Sequence, residues 1–522
     1  MLLKSAPKRP SPKMSTTSLP APVRGLNLHD GLANQKPDDA QILDNWFPET
    51  TYCKVRGGYT SHATGLGATV TSHMEWAGPS SRKAFAAKST DIYEVTTAGA
   101  VGAAAVSSLT SGYWQHVNFT TAGGSFLVLA NGADDVRNYD GSSWTTPSIT
   151  NVTSSTLITP IVHKGRLWFI QAATTKAWYL PASSIAGAAT GFQLGEQFTM
   201  GGYLAAAGVV SSDGGSNSAE DYLCFISSKG EVVVYAGSDP ASSTTWARHG
   251  IYKVAAPIGR RCVAQVGGDL AILTEAGIVS MRQIMSLGKE QAERGSITFR
   301  ISRGISDAYE SYGSLTGWEM ILHSRTHQLI VNVPTSSSTA FQYAMNIQTG
   351  AWCTYGLNAS ALNATCWGVL NEELYFGSSA GTVWNAESGY QDNGAAINGE
   401  LKYSFQPYGP DGRVCRITQA RPLFTAGGRV VPALRVDVDY RNTTPTDSDK
   451  FPVSSGSMGS LWDTGLWDTA TWGDTDSPYA DWISVTGIGT TAALHMITKT
   501  NGLAAKLNAV DVMFEASKEL AL

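Results

Sequence analysis

The sequence predicts an all-β protein, with a β-propeller-like body of about six to eight blades and a C-terminal β-sandwich-like domain. Three observations support this fold class. Short apolar runs alternate with Gly-bearing turns through residues 81–389, and the runs recur along the chain. The 522 residues include 54 Gly, 15 Trp and 20 Tyr, and only 15% of them are charged. That composition is typical of short strands joined by tight turns, whereas a helical protein carries more Glu, Lys and Leu.

The clearest repeat unit begins with an apolar run at 125–130, followed by Asn-Gly at 131–132. A second run occupies 136–139, and after an Asp-Gly pair a third run contains Trp144. Asn-Gly and Asp-Gly tolerate the positive φ angles of tight hairpins. The segment is therefore a predicted β-meander, and it needs similar neighbours because a lone meander cannot bury its apolar face.

Seven units of this kind occur, and each can be marked by one apolar residue of its strand. The spacing between neighbouring markers is 41 to 58 residues. Propeller blades repeat at roughly 40 to 50 residues, so the longer gaps require inserted loops. The alternative is a pair of packed β-sandwiches without radial order. The markers are Phe85, Phe126, Leu167, Phe225, Ala271, Leu329 and Leu374.

The charge and cysteine content restrict the function. The net charge of −5 is weak for this length and does not favour a protein that grips a phosphate backbone. No pair of the six cysteines forms CxxC or has a His at zinc spacing, so we expect buried, reduced thiols. Neither a secretory signal nor an apolar run of spanning length is seen, which predicts a chain made in the cytosol. The cysteines are Cys53, Cys224, Cys262, Cys353, Cys366 and Cys415.

The first 43 residues are predicted to form an N-terminal arm that ends in a short helix. The first twenty are basic and rich in proline, which indicates a mobile arm; contact with nucleic acid or an acidic partner is the alternative. Residues 36–43 have an early Pro followed by acids, as at a helix start. DNWFPE at 44–49 and VRGGY at 55–59 are interpreted as structural packing where the arm enters the body.

These segments resemble the opening of the tail hub, or tail nozzle, proteins of short-tailed phages and prophages. The stretches 58–78 (GYTSHATGLGATVTSHMEWAG) and 131–150 (NGADDVRNYDGSSWTTPSIT) are also similar to that family. The resemblance covers most of residues 38–389 and is less clear afterwards. Its motifs are structural and moderately specific, and they contain no catalytic residues. The basic, proline-rich start has no counterpart in the family.

The resemblance implies a structural virion protein of the phage tail, assembled in the host cytoplasm. A β-propeller-like body would form a homo-oligomeric ring, usually a hexamer, that extends the DNA ejection channel below the portal and adaptor. The implied partners are the head–tail adaptor and portal, and a tail fibre, spike or needle. Double-stranded DNA would pass without sequence readout. No enzyme activity, catalytic residue, cofactor or metal is expected.

We predict that the body occupies residues 44–395 and contains an inserted loop and helix at 287–312. This insertion is polar, and Ser306 is predicted to be the N-cap of a short helix over 306–310. It is either a solvated connector or a loop that faces the channel or another subunit. The C-terminal β domain is predicted to occupy 396–522.

A Trp-rich ribbon at 460–482 is the unusual feature of the C-terminal domain. Three of its tryptophans recur every five residues, which matches neither a strand nor a helix period. They are either core residues or interface anchors, since tryptophan is enriched in interface hot spots. The interface candidates are Trp462, Trp467, Trp472 and Trp482.

The alternative function is a propeller-fold glycan hydrolase or glycan-binding module, and a third is a scaffold for protein partners. Glycosidases need two carboxylates that flank the scissile bond, and the acids here are scattered. No GxSxG, HExxH, P-loop or dinucleotide motif occurs. His323 and His327 have metal spacing only on a helix, whereas residues 321–333 alternate like a hairpin. The scattered acids are Glu75, Asp91, Glu220, Asp221, Glu319 and Glu372.

Overall fold

The computed structural model describes residues 14–213, 219–287, 296–409, 412–442, 452–455 and 476–516. Its strands form seven propeller blades and a two-sheet sandwich, which confirms the predicted fold class. Each of the seven sequence markers lies on the second strand of its own blade.

The blades follow one another along the chain. Blade 1 contains Ser72–Ala77, Arg82–Ala87 and Ile92–Glu94, and blade 2 contains Gln115–Thr121, Gly124–Ala130, Arg137–Tyr139 and Trp144–Thr145. Blade 3 contains Leu157–His163, Arg166–Gln171, Lys176–Tyr179 and Thr190–Gln193, and blade 4 contains Leu204–Asp213, Ala219–Ser227, Glu231–Gly237 and Trp246–Lys253. Blade 5 contains Val263–Val266, Asp269–Thr274 and Gly277–Ser280; blade 6 contains Glu319–His323, Gln328–Pro334, Ala340–Asn346 and Ala351–Tyr355; and blade 7 contains Cys366–Leu370, Glu373–Gly377 and Val383–Ala386.

The propeller is a closed ring. The first strand of each blade lies against the first strand of the next, and the first strand of blade 7 lies against that of blade 1. The fourth strand of blade 7 is Tyr59–Thr64, which comes from before blade 1 and pairs with Val383–Ala386. Strands from the two ends of the propeller segment therefore complete one blade, and this pairing joins the ends of the ring.

The second part of the molecule is a sandwich of two sheets. The ten-stranded sheet continues blade 6, because Ala40–Asp44 lies between Ala351–Tyr355 and Ile397–Tyr403. Side chains such as Trp46, Phe424 and Met496 form the core between the sheets. The ten-stranded sheet also contains Thr491–Asn501, Gln406–Pro407, Ala433–Val438 and Ser454–Ser455; the seven-stranded sheet contains Met14–Pro20, Trp46–Pro48, Cys53–Val55, Cys415–Ala426, Ser477–Tyr479, Ile483–Gly489 and Ala505–Ala516.

Short elements connect the sheets. The two helices in the described parts of the chain are α1 (Met281–Leu287) and α2 (Ser302–Tyr312). Single 3₁₀ turns occupy Ser154–Thr156, Gly195–Gln197 and Phe299–Ile301, and short bridging strands occupy Gly99–Ala100, Ile149–Thr150 and Gly187–Ala188.

The predicted helix at 36–43 is wrong, because Ala40–Asp44 is a strand. The acid that suggested a helix start closes a turn instead: the Asp39 carboxylate accepts a hydrogen bond from the Lys36 backbone N–H at 3.0 Å. Ala40 and Leu43 are fully buried, because this strand lies inside the ten-stranded sheet and both side chains belong to the sandwich core.

The observed strand pairing corrects the predicted domain boundary at 43/44, whereas the boundary at 395/396 lies in the connection between the last propeller strand and Ile397–Tyr403 of the sandwich. Strands from 14–55 pair with strands from the C-terminal part of the chain, so both ends build the sandwich. The propeller proper begins at Tyr59 and ends at Ala386. Sequence reasoning assigned 44–55 to the body because DNWFPE and VRGGY were interpreted as packing where the arm enters it.

The helix predicted at 306–310 is longer than expected, and Ser306 is not its N-cap. Helix α2 begins at Ser302, directly after the 3₁₀ turn at Phe299–Ile301, and Ile301 occupies the cap position without a side-chain bond. Residues 288–295 of the predicted insertion lie outside the described residues.

Two further expectations concern the thiols and the membrane. All six cysteines are buried and free, which confirms the prediction of reduced thiols. Burial raises the pKa of the Cys262 and Cys366 thiols to about 12. In the parts of the chain that the structure describes, no helix is long and apolar enough to cross a membrane.

Candidate functional site

The junction between propeller and sandwich is built from the segment that follows Ala40–Asp44. Asn45 has a left-handed backbone (φ 58°) and is fully buried. Its side-chain amide donates to the carbonyls of Ala359 and Asn398, each at 2.8 Å. Because Ala359 follows blade 6 and Asn398 begins a sandwich strand, one side chain joins the two parts. Asn tolerates this conformation better than most residues.

Arg56 completes the junction, and all five of its N–H donors are used. Two bonds of 2.8 and 2.6 Å reach the Asp392 carboxylate, and others reach the Asn45 side chain and the carbonyls of Gly57 and Ser360. Burial alone would lower the pKa of the guanidinium, but the bonds to Asp392 outweigh this effect and raise the pKa. The role of this ion pair is structural, because both charged groups are buried and bonded to protein partners.

Asp44 holds the neighbouring loop. Its carboxylate accepts hydrogen bonds from the backbone N–H groups of Leu357 and Asn358 and from the Thr354 hydroxyl. Burial raises the pKa of Asp44, and these bonds oppose the shift. The segments DNWFPE and RGGY therefore lie where two domains join, and the interpretation as structural packing agrees with these contacts.

A polar cleft of about 880 Å³ opens beside the junction. Its floor is one face of the ten-stranded sheet, and its walls are the loop 27–35 and the loop 357–359. The opposite face of the same sheet carries Leu43, Leu401 and Met496 into the sandwich core. Alternation along each strand thus separates an apolar face from a polar face.

A row of ionisable side chains begins on the floor of the cleft with Glu400, Lys402 and His495 and continues on the adjacent strand, Ala433–Val438. His495 Nε2 lies 2.7 Å from Glu400 Oε1, and its Nδ1 accepts a hydrogen bond from Arg435 at 3.0 Å. Arg435 also pairs with Asp437, which forms a buried ion pair with Lys402. Burial would raise the pKa of Glu400, but the bond to His495 and its charge lower it overall. The row is therefore internally paired.

Side chains also cross the axis of the propeller, at the end where the first strands begin. Arg261 of blade 5 donates to the carbonyls of Thr71 and Trp114, which lie in or beside blades 1 and 2 on the far side of the ring. Its guanidinium lies over the Tyr113 ring at 4.0 Å. Glu319 of blade 6 lies 3.5 Å from Arg261 and accepts a bond from the Trp367 N–H of blade 7. These contacts tie opposite blades together.

Four of the six acids considered as glycosidase carboxylates have a local partner. Glu75 pairs with Arg82, Asp91 with Lys88, Asp221 with Lys164 and Glu319 with Arg261. Burial raises the pKa of Glu319, and the Arg261 charge opposes this shift. Glu372 has a left-handed backbone in a blade 7 turn, and the Glu220 side chain lies outside the described part of the chain.

The metal candidates form a hairpin, as predicted. His323 ends one strand of blade 6, and the next begins at Gln328. His323 is buried, and its Nε2 bonds the carbonyl of Glu372 at 2.8 Å. Among the described residues, no group of three His, Cys, Asp or Glu side chains is placed to hold a metal ion.

The residues that the structure describes include one of the four interface candidates, Trp482. Trp482 is 37% exposed, and the Arg421 guanidinium lies over its ring at 4.7 Å. Trp462, Trp467 and Trp472 lie outside the described residues.

Sequence reasoning missed the charged row because its members come from strands far apart in the chain. A weak signal was present: Glu400 and Lys402, and likewise Arg435 and Asp437, are polar residues two positions apart within apolar strands. That spacing indicates a polar face, but it does not show which strands share the face.

No protein-family model and no curated protein matches the chain. Several solved structures are similar. BBS1N, crystallised in complex with ARL6DN, is 9% identical with a TM-score of 0.39, covering 64% of this chain and 97% of that one. YCF48 bound to D1 peptide is 8% identical (TM-score 0.38; 66% and 97%). Virginiamycin B lyase from Staphylococcus aureus is 8% identical (TM-score 0.35; 72% and 99%). These likenesses concern the propeller-like fold alone.

Proposed function

We propose that this protein is a structural subunit of a phage tail, a hub or nozzle ring that extends the DNA ejection channel below the portal and adaptor. The observation that carries the proposal is the junction. The segments that resemble the tail hub family, DNWFPE and RGGY, join the propeller to the sandwich. Asn45 and Arg56 make this connection, and Arg56 is bonded to Asp392. A junction without a free donor on Arg56 suits a subunit that bears mechanical load.

In this proposal the copies form a cyclic ring, so one surface of each copy meets a different surface of the next. The sandwich offers apolar side chains for such a contact. Obligate interfaces bury aromatic and aliphatic residues of this kind. The exposed large apolar residues of the sandwich and its loops are Met14, Val431, Tyr440, Val453, Trp482 and Ile488.

The DNA channel would lie between the copies and not inside one propeller. Arg261 and its partners cross the propeller axis, which leaves a duplex no path there. The modest net charge of −5 suits a lumen that DNA must leave quickly, because many phosphate contacts would slow ejection. The ring would also dock to the adaptor above it and to a fibre, spike or needle below it.

The decisive experiment is a mass measurement of the purified, tag-free protein, alone and with isolated portal–adaptor complex. We expect a discrete ring, with six copies as the expected number, formed alone or on the complex. A monomer that ignores the complex would overturn the proposal.

A matched pair of variants locates the contact. Trp482→Ala removes the indole from the sandwich surface, and we expect it to reduce ring formation strongly, because truncation of a tryptophan anchor is among the costliest changes in an interface. Tyr203→Ala makes a comparable change at an aromatic residue of 49% exposure directly before blade 4 and serves as the control. Equal assembly of the two variants would remove Trp482 from the interface.

A further inference from the structure

A buried lysine lies in the sandwich part of the molecule, and the ring role does not use it. The Lys402 side chain is 3% exposed, and that of its partner Asp437 is 1% exposed. Lys402 Nζ is bonded to Asp437 Oδ2 and lies 2.6 Å from the side-chain oxygen of Asn442. Lysine is almost never buried so completely unless it is paired. An amine, a carboxylate and an amide therefore meet at one point.

Three strands of the ten-stranded sheet bring these groups together. Lys402 lies on Ile397–Tyr403, and this strand pairs with one edge of Thr491–Asn501. Asp437 lies on Ala433–Val438, which pairs with the other edge of the same strand. The lysine side chain therefore crosses the middle strand to reach its partner. Both ends of this contact are fixed, because each strand is held by its ladder of backbone hydrogen bonds.

Asn442 reaches the lysine because the chain turns back directly after the strand of the carboxylate. Asp439 and Tyr440 have left-handed backbones, with φ angles of 50° and 60°. The Asp439 carboxylate accepts hydrogen bonds from the backbone N–H groups of Thr490 and Thr491 at 2.8 and 3.2 Å. Two successive non-glycine residues keep this unfavourable conformation only where the surrounding structure holds it. The turn is therefore anchored, and it fixes the position of the amide.

The amide carbon of Asn442 is within reach of the amine. A C=O bond is about 1.23 Å long, so Asn442 Cγ lies no more than about 3.8 Å from Lys402 Nζ. Two groups held this close in a fixed site react as if each were present at very high concentration. The arrangement therefore favours attack of the amine on the amide carbon.

The site is shielded from water around the lysine and opens to solvent at the asparagine. The Phe405 ring centroid lies 5.3 Å from Lys402 Nζ, and the Tyr440 ring lies 4.9 Å from that of Phe405. Asn442 is exposed and lines the polar cleft. In a dry site, proton transfer from an ammonium to a carboxylate replaces two buried charges by neutral groups, and this lowers the cost of burial.

Asp437 is placed to carry the protons. Its Oδ2 faces the amine, whereas Oδ1 contacts Arg435 at 3.2 Å. Oδ2 takes a proton from Lys402 Nζ, and the neutral amine attacks Asn442 Cγ. The Cγ–Nδ2 bond then breaks, and its electron pair stays on Nδ2. The lysine gives up two protons in all, and Asp437 passes both to Nδ2, which leaves through the cleft as ammonium. The step needs no oxidant or further reactant, because one amide replaces another.

We propose that Lys402 and Asn442 form an isopeptide bond, with Asp437 as the proton carrier. The bond would tie the turn after Ala433–Val438 covalently to Ile397–Tyr403, across the strand between them. It is additional to the ring role and does not depend on it.

The test is the intact mass of the purified full chain under denaturing conditions. We expect a mass below the value calculated from the sequence by one ammonia, about 17 Da. Trypsin does not cleave after an acylated lysine. Residues 326–413 and 442–450 should therefore be recovered as one branched peptide.

Three variants and a control locate the bond. Lys402→Met and Asn442→Ala should each restore the full calculated mass, and Asn442→Ala changes an exposed residue, so folding should not suffer. Asp437→Asn keeps both reacting side chains and should also restore the full mass. Lys54→Met is the matched control: it removes a sandwich lysine that pairs with Glu49 at 2.7 Å, and the mass deficit should persist.

Three results would overturn the proposal. The full calculated mass for the wild type would mean that the three groups form only a hydrogen-bonded ion pair. A deficit that remains in Asn442→Ala, or a branched peptide joined at another residue, would place the modification elsewhere. An unchanged deficit in folded Asp437→Asn would remove Asp437 as the proton carrier. None of these results bears on ring formation, which the mass of the native assembly decides separately.

Discussion

Two buried arginines hold this molecule together, and they do so differently. Arg56, at the junction, places all five N–H donors on partners at 2.6 to 2.9 Å, and its side chain is fully buried. Arg261, at the propeller axis, spans opposite blades but lies 3.5 Å from its carboxylate partner Glu319. The Arg261 side chain is 9% exposed and that of Glu319 is 14% exposed.

The difference shows where the fold tolerates change. A guanidinium without solvent contact has no substitute for its partners, so loss of either partner leaves an unpaired buried charge. At the axis, both partners retain some contact with solvent, so loss of a partner costs less. A third pair, Arg325 and Glu373, has bidentate bonds of 2.7 and 2.9 Å on the surface. The three pairs form a series of decreasing burial.

The largest effect is expected at the junction. Arg56→Met leaves the Asp392 carboxylate buried without its partner, and we expect the free energy of unfolding to fall by about 3–5 kcal/mol. Urea unfolding followed by Trp fluorescence measures it.

The double variant Arg56→Met with Asp392→Asn tests whether the unpaired Asp392 carboxylate causes the loss of stability. Its loss should be smaller than the sum of the two single losses, because the second change removes the stranded charge. Strict additivity would mean that the pair is not coupled.

A pH-dependent effect is expected from His73, which lies between blades 1 and 7. Its ring is buried and stacked on Tyr375, and both ring nitrogens lack a partner within the described chain. Burial, and then the charges of His116 and His62, lower its pKa from 6.5 to about 3. The folded protein keeps this imidazole neutral, whereas the unfolded chain protonates it near pH 6.5. The free energy of unfolding is therefore highest above pH 6.5 and falls as the pH decreases toward 3.

The comparison is between wild type and His73→Leu. Between pH 6.5 and 4 the wild type should lose about 1.4 kcal/mol per pH unit relative to the variant, because only the unfolded wild type takes up this proton. Unfolding measured at pH 7.5, 6 and 5 gives the difference. A difference that does not change with pH would contradict a buried neutral imidazole.

A smaller effect is expected at the propeller axis. Arg261→Met removes the bonds to blades 1 and 2, and we expect a loss of about 1–3 kcal/mol. Hydrogen exchange should rise in blades 1, 2 and 5 more than in the sandwich. Uniform exchange across both parts would show that the axis does not stabilise the propeller locally.

The smallest effect is expected at the surface pair. Arg325→Ala should change the free energy of unfolding by about 0–1 kcal/mol, because solvent screens an exposed pair even when its geometry is good. The same urea series measures it. A loss as large as that of Arg56→Met would mean that burial does not explain the series.

The propeller units were predictable because each is local. The meander from Gly124 to Thr145 uses strands that are neighbours in sequence, and its turn at Asp140 is closed by bonds from Ser142 and Ser143. Residue type and alternation are enough to specify such a unit. The burial of all six cysteines was predictable in the same way, from the absence of any ligand spacing.

The candidate sites were less predictable. DNWFPE and RGGY were recognised as structural, but their partners were not. Arg56 and Asp392 are 336 positions apart, and Glu400 and His495 come from strands far apart in the chain. Only the packing of loops against the ten-stranded sheet creates the cleft that Glu400 and His495 line.

The sequence by itself determined the all-β class, the seven repeating units and the separate character of the C-terminal part. These features depend on strand period and turn chemistry, which are set by residues close together in the sequence. The tertiary structure alone decided which distant strands meet. It placed Tyr59–Thr64 in blade 7, Ala40–Asp44 between blade 6 and the sandwich, and Arg56 beside Asp392. The physical reason is that an unpaired strand edge accepts any strand of suitable shape, and the choice among them depends on burial of the whole face.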